Sequence, residues 1–172
     1  MVGVLRKNDV PTVMPQSGLL GWLMAPHGAM AFGAGTTGSM EWCKPADTGG
    51  GGGGNPPLHW HFHPQLLGFV LAEELPSLAE VAGYQACGCP YCASTPPQTG
   101  TSFNAEVASR HYLWNCAMLA NELRRSPDPD LTVRRRLQAA QSFWNQVQSD
   151  GLVLDSRSQA SHLEAWLQVA AG

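Results

Sequence analysis

Three cysteines fall within six residues, Cys87-Gly88-Cys89-Pro90-Tyr91-Cys92, and this run constrains the chain more than any other feature. Sulfurs so close along the backbone suit one metal ion better than a disulfide framework, and Gly88 and Pro90 shape the turn between them. Zinc favours soft thiolate ligands in a tetrahedral set and asks for a fourth. His111 lies 19 residues after Cys92, near the start of an expected helix, where its ring can face back across the loop. Cys116, five residues further on the same helix, is the rival fourth ligand. The plain alternative is a chance cluster of buried or redox-active thiols. Five cysteines in all is an odd number, so complete pairing within the chain is impossible.

The composition sets the frame around this run. A chain of 172 residues is long enough for one domain with a real core. Only 13% of residues are charged, against roughly 25% in a typical soluble domain, and a charge-poor surface suggests a face hidden against something else. The net charge of −3 does not by itself imply binding to nucleic acid or to a membrane. No apolar run resembles a secretory signal or approaches the ~20 residues of a membrane span. The expectation is therefore a cytoplasmic protein without a membrane partner.

Along the chain, residues 10–14 are β-prone, residues 19–24 are apolar with Gly28 as a helix C-cap, and residues 29–32 form a second apolar run. Strand, turn, short helix, strand is the rhythm of a βα unit, with room for only two such units. Residues 47–57 carry six consecutive glycines and read as a flexible loop. Residues 58–71 read as a hairpin or edge strand, since Pro64 denies a central position, and residues 72–83 read as helix. Helices are then expected over 104–125, 131–149 and 158–170. In the second of these Leu137, Ala140, Phe143, Trp144 and Val147 share one face.

The cysteine run followed by a helix-borne histidine resembles the zinc module of the tRNA-guanine transglycosylases, including relatives that place deazaguanines in DNA. The stretch Arg110-His111-Tyr112-Leu113-Trp114-Asn115 through Leu123-Arg124-Arg125 is similar to that family's zinc-histidine helix. Residues 11–18 and 28–37 resemble the last two strands of the family's (β/α)₈ barrel. The resemblance implies an α+β chain in three parts: barrel-like βα units at 1–46, the glycine-rich loop at 47–57, and a zinc-binding, mainly helical subdomain at 58–172. It implies Zn²⁺ held by Cys87, Cys89, Cys92 and His111, and a role in guanine or deazaguanine base exchange in tRNA or DNA. Two departures stand against a complete enzyme. The family's aspartate nucleophile has Phe32-Gly33-Ala34 in its place, with Asp47 the nearest downstream carboxylate, and glycine cannot attack an anomeric carbon. The N-terminal half of the barrel is missing, since eight βα units need ~250 residues. The chain then needs a partner chain that supplies the missing half, or it is a degenerate copy.

Other residues carry weaker signals. His59, His61 and His63 alternate, so a strand places all three on one face, where they can bind a second metal or lend the cluster its fourth ligand. The plain reading is a strand edge with Trp60 and Phe62 turned to the core. Gly33–Gly38 resembles an anion-cradling nest but lacks the lysine of a P-loop, and reads better as a strand-to-loop turn. Cys43 has no recognisable base nearby. Arg124, Arg125, Arg134, Arg135 and Arg136 form a basic patch that can touch a nucleic-acid backbone, or simply pair with Glu122, Asp128 and Asp130. A non-catalytic zinc-stabilised module for nucleic acid or protein is thus the second reading.

Overall fold

The computed structural model describes residues 7–8, 10–15, 17–34, 60–95 and 105–171. The expectations placed on His59, on Cys43 and Asp47, on Gly35–Gly38 and on the glycine-rich loop lie outside those residues.

The chain begins with strand β1 (Thr12–Met14), helix α1 (Gly18–Met24) and strand β2 (Ala29–Phe32). β1 and β2 pair in parallel, Val13 opposite Ala31 and Met14 opposite Phe32. A parallel pair needs a crossover, and α1 supplies it by laying Leu19, Trp22 and Leu23 into the core. Gly21 faces β2 at a distance that admits no side chain: an added Cβ would lie 2.2 Å from the Cβ of Phe32. Gly28 closes the turn after α1 at φ 109°, in the left-handed region.

Strands β3 (Trp60–His63) and β4 (Gly68–Leu71) form the expected hairpin, antiparallel, with His61 opposite Val70 and Phe62 opposite Phe69. Pro64 sits in its turn. The continuous helix expected over 72–83 does not form. A 3₁₀ turn (Ala72–Glu74) leads instead into the short helix α2 (Leu75–Ala79), because Pro76 has no N–H to donate to the Ala72 carbonyl. Helix α3 (Pro90–Ser94) grows out of the cysteine run itself. The long helices α4 (Ala105–Arg125) and α5 (Pro129–Ser149) follow, joined across Ser126-Pro127-Asp128. Asp128 caps α5 by accepting from the Leu131 N–H at 2.9 Å, with Pro129 in the first turn. Helix α6 (His162–Ala171) ends the described chain. It starts four residues later than its sequence pattern suggests, because Ser158 is otherwise engaged. The Ser158 hydroxyl accepts from the Leu71 N–H at 3.1 Å and donates to the Glu74 carboxylate.

The four strands thus make two separate pairs among the described residues, one parallel and one antiparallel. The mixed α+β character matches expectation, whereas the described strands do not form a partial barrel. One apolar cluster runs from Leu19 and Trp22 of α1, through Phe62, Val70 and Leu75, to Leu137, Phe143 and Leu163. A smaller satellite surrounds Cys89 and Cys92 with Tyr91, Val107, Ala108 and Trp114. No described helix is long and apolar enough to cross a membrane.

Candidate metal centre

The site is assembled from three elements, each placed by its own local chemistry. Cys89 is the N-cap of α3: its sulfur accepts from the Cys92 backbone N–H at 3.2 Å, and Pro90 fixes the first helical φ. One turn of helix therefore points Cys89 and Cys92 the same way. Cys87 approaches from the extended segment before them. His111 comes from the second turn of α4, fully buried. The three sulfurs and a ring nitrogen of His111 all lie within 4.8 Å of one another.

Distances from Nδ1 of His111 to sulfur are 3.1 Å for Cys89, 3.4 Å for Cys92 and 3.8 Å for Cys87. A tetrahedral zinc with Zn–N and Zn–S bonds of usual length sets N···S edges of about 3.6 Å. The other ring nitrogen settles the tautomer. Nε2 lies 2.6 Å from the carbonyl oxygen of Phe62 on β3, an acceptor only, so Nε2 carries the hydrogen and Nδ1 presents its lone pair to the sulfurs. The residues present fit a tetrahedral ion with four protein ligands. Cys116 lies instead in the main apolar cluster with Leu119 and Leu123.

Electrostatics favour the same reading. The hydrogen bond from Cys92 holds the Cys87 thiol down at about 3 despite partial burial. Burial pushes the Cys89 thiol up, and the hydrogen bond to Cys87 followed by burial pushes Cys92 up. Three sulfurs in so small a volume cannot all ionise unless a cation neutralises them. Burial, then repulsion from His111 and His63, lowers His61 to about 2, so it stays neutral.

Two further residues border the cluster, and sequence reasoning missed the first of them. Asn115 is one helical turn after His111; its amide donates to the His111 carbonyl at 2.9 Å and reaches the Cys87 sulfur at 3.9 Å. The spacing i, i+4 was its only signal. His61 stands with Nε2 3.3 Å from the Cys92 sulfur and its ring stacked on His111 at 4.3 Å. His61 and His63 do share one face of β3, and that face is turned inward. The plain expectation therefore needs correcting: Phe62 is buried, but Trp60 is only half-buried, beneath the Arg157 guanidinium at 5.4 Å. His63 stacks on Phe143 rather than meeting a sulfur.

The arginines divide between surfaces. Arg136 makes a two-point bond to Glu122 at 2.9 and 3.1 Å, bridging α4 and α5, and shares a groove with Arg125. Arg124 donates to Asn121, and Arg134 pairs with Asp130 and opens on a different cleft. Arg135 is exposed. No protein-family description, curated protein or solved structure matches this chain.

Proposed function

We propose that the chain is a non-catalytic module organised by one structural zinc ion on Cys87, Cys89, Cys92 and His111, with the exposed Arg125 of α4 and Arg135 of α5 as its contacts to nucleic acid. The observation that carries this reading is the bond from His111 Nε2 to the Phe62 carbonyl, which aims Nδ1 at three sulfurs. Four protein ligands close the shell and leave no position for a water to be activated, which marks structural rather than catalytic zinc. Arg125 and Arg135 supply the charge for phosphate contacts.

The test has two parts. Metal analysis of protein purified without added metal is expected to give about one zinc per chain, lost in Cys89→Ser. Single-stranded RNA and duplex DNA are then titrated at two salt concentrations. Arg125→Glu with Arg135→Glu is expected to weaken binding about tenfold and flatten its salt dependence. Zinc retained in Cys89→Ser would overturn the metal assignment; binding untouched by the charge reversals would overturn the surface.

A second reading, supported by the parallel β1–α1–β2 unit ahead of the cysteine run, makes the chain the C-terminal zinc-binding portion of a transglycosylase-like protein. In that reading a partner chain supplies the other barrel strands and the carboxylates of base exchange. Co-expression with a neighbouring reading frame encoding such strands is expected to give a stable complex. A stable monomer with no such neighbour argues for the first reading.

A further inference from the structure

The three cysteines of the cluster are not equivalent. Cys89 is fully buried and Cys92 is 9% exposed, whereas Cys87 is partly exposed. Cys87 also lines a groove of about 710 Å³ that runs along α4 past Trp114, Asn115 and Met118 to Arg125. The sulfurs differ in hydrogen bonding too. Cys89 accepts from the Cys92 backbone N–H at 3.2 Å. Cys92, once a thiolate, is an acceptor only, and takes the N–H of His61 at 3.3 Å. Cys87 takes the amide of Asn115 at 3.9 Å and a backbone hydrogen bond from Cys89. An N–H donor withdraws electron density from a thiolate and lowers its reactivity, while burial denies access to it. Every sulfur has a donor, so access decides: Cys87 alone of the three is partly exposed, and it opens on the groove.

We propose that Cys87 is an alkyl-acceptor site: its metal-bound thiolate reacts with soft carbon electrophiles bearing a leaving group, admitted through the groove. The electron pair comes from Sγ of Cys87, an S–C bond forms, and the leaving group departs with the electrons of the bond that breaks. No proton moves, because the sulfur is already ionised. The product is a neutral thioether. One divalent ion with three thiolates and a neutral imidazole carries −1, so alkylation takes the centre to zero and replaces a strong ligand with a weak one. Modification of one residue thereby loosens the centre that ties α3 to α4 and converts exposure to an electrophile into a change of structure.

This inference rests on the metal reading above, and the experiment keeps the two apart. The zinc content of the untreated full-length chain reports on the metal. The same protein is then treated with limiting iodoacetamide, adducts are assigned to each cysteine by peptide mass spectrometry, and released zinc is followed with a chromogenic chelator. Cys43 and Cys116 are scored separately in the same digest. Carbamidomethylation of Cys87 is expected to run at least about tenfold ahead of Cys89 and Cys92, with zinc released at the rate of that first adduct. In a zinc-containing protein, a first adduct on Cys89 or Cys92, equal rates at all three, or zinc retained after Cys87 is fully modified would overturn the proposal and leave the metal reading standing. A zinc-free protein would overturn both.

Discussion

His63 is fully buried, and neither of its ring nitrogens has a hydrogen-bond partner among the described residues. It stacks on Phe143 at 6.0 Å and leans on Tyr84 at 5.4 Å, so its neighbours treat it as an aromatic hydrocarbon. Burial, partly offset by Cys87, lowers its pKa from 6.5 to about 4. The sign of the pH effect follows. Below pH 6.5 the unfolded chain takes up a proton that the folded chain refuses, so stability falls with pH until about 4, by about 3 kcal/mol in total. His63→Phe removes two unpartnered polar atoms and keeps the ring. It is expected to gain about 1 kcal/mol at pH 7, and the gap over the parent should widen by about 2 kcal/mol at pH 5. Denaturant midpoints at the two pH values measure this; a gap independent of pH would show that His63 is not held neutral. The sequence announced His61 and His63 as one face but not their roles. Alternation places both rings on a side of β3, while the partners that distinguish them, Cys92 and Phe143, arrive from 31 and 80 residues away in the chain.

Among the elements, those legible in the sequence were those whose cause is local. The 3.6-residue period of α5 needed no knowledge of its neighbours, although the helix starts two residues before the expected 131, where Asp128 caps it and Pro129 fixes the first φ. The cysteine run was legible for a similar reason, because its spacing alone builds the α3 turn. The residues before α6 misled, since Ser158 there serves a bond to β4 that no local pattern encodes. The packing of α1 on β2 was equally hidden: Gly21 looks like a weak helix residue until Phe32 is seen against it. Gly21→Ala makes that contact measurable. Its methyl would meet Phe32 Cβ at 2.2 Å and the Ser17 hydroxyl at 2.4 Å, neither at the far end of a flexible chain. The gain in helix propensity, roughly 1 kcal/mol, is outweighed by overpacking, and a net loss of about 2 kcal/mol is expected by chemical denaturation. A variant as stable as the parent would mean that α1 can shift away from β2 freely.

The molecule as a whole has two packed regions of unequal size, and this decides what the metal stabilises. The main cluster is apolar from α1 to α6 and contains no metal ligand. The satellite around Cys89 and Cys92 has few apolar partners, and without a cation it gathers sulfurs that burial and mutual repulsion keep from ionising together. A bound ion therefore supports α3 and the first turns of α4, while α5, α6 and the β3–β4 hairpin stand on their own packing. Chelation is expected to cause local rather than global unfolding. Amide exchange should accelerate over residues 86–95 and 105–114, and α5 should stay protected to within about threefold of the metal-bound rate. Strand β3 bridges the two regions. It belongs to the hairpin in the main core, which meets the centre through the 2.6 Å bond from His111 to Phe62 and through His61 beside the Cys92 sulfur. If these contacts transmit the whole effect of the metal, α5 loses protection together with α3, and the two regions fold as one unit. Slow exchange in α5 after chelation, with fast exchange in α3, would establish that the centre fastens a peripheral turn to a core already formed.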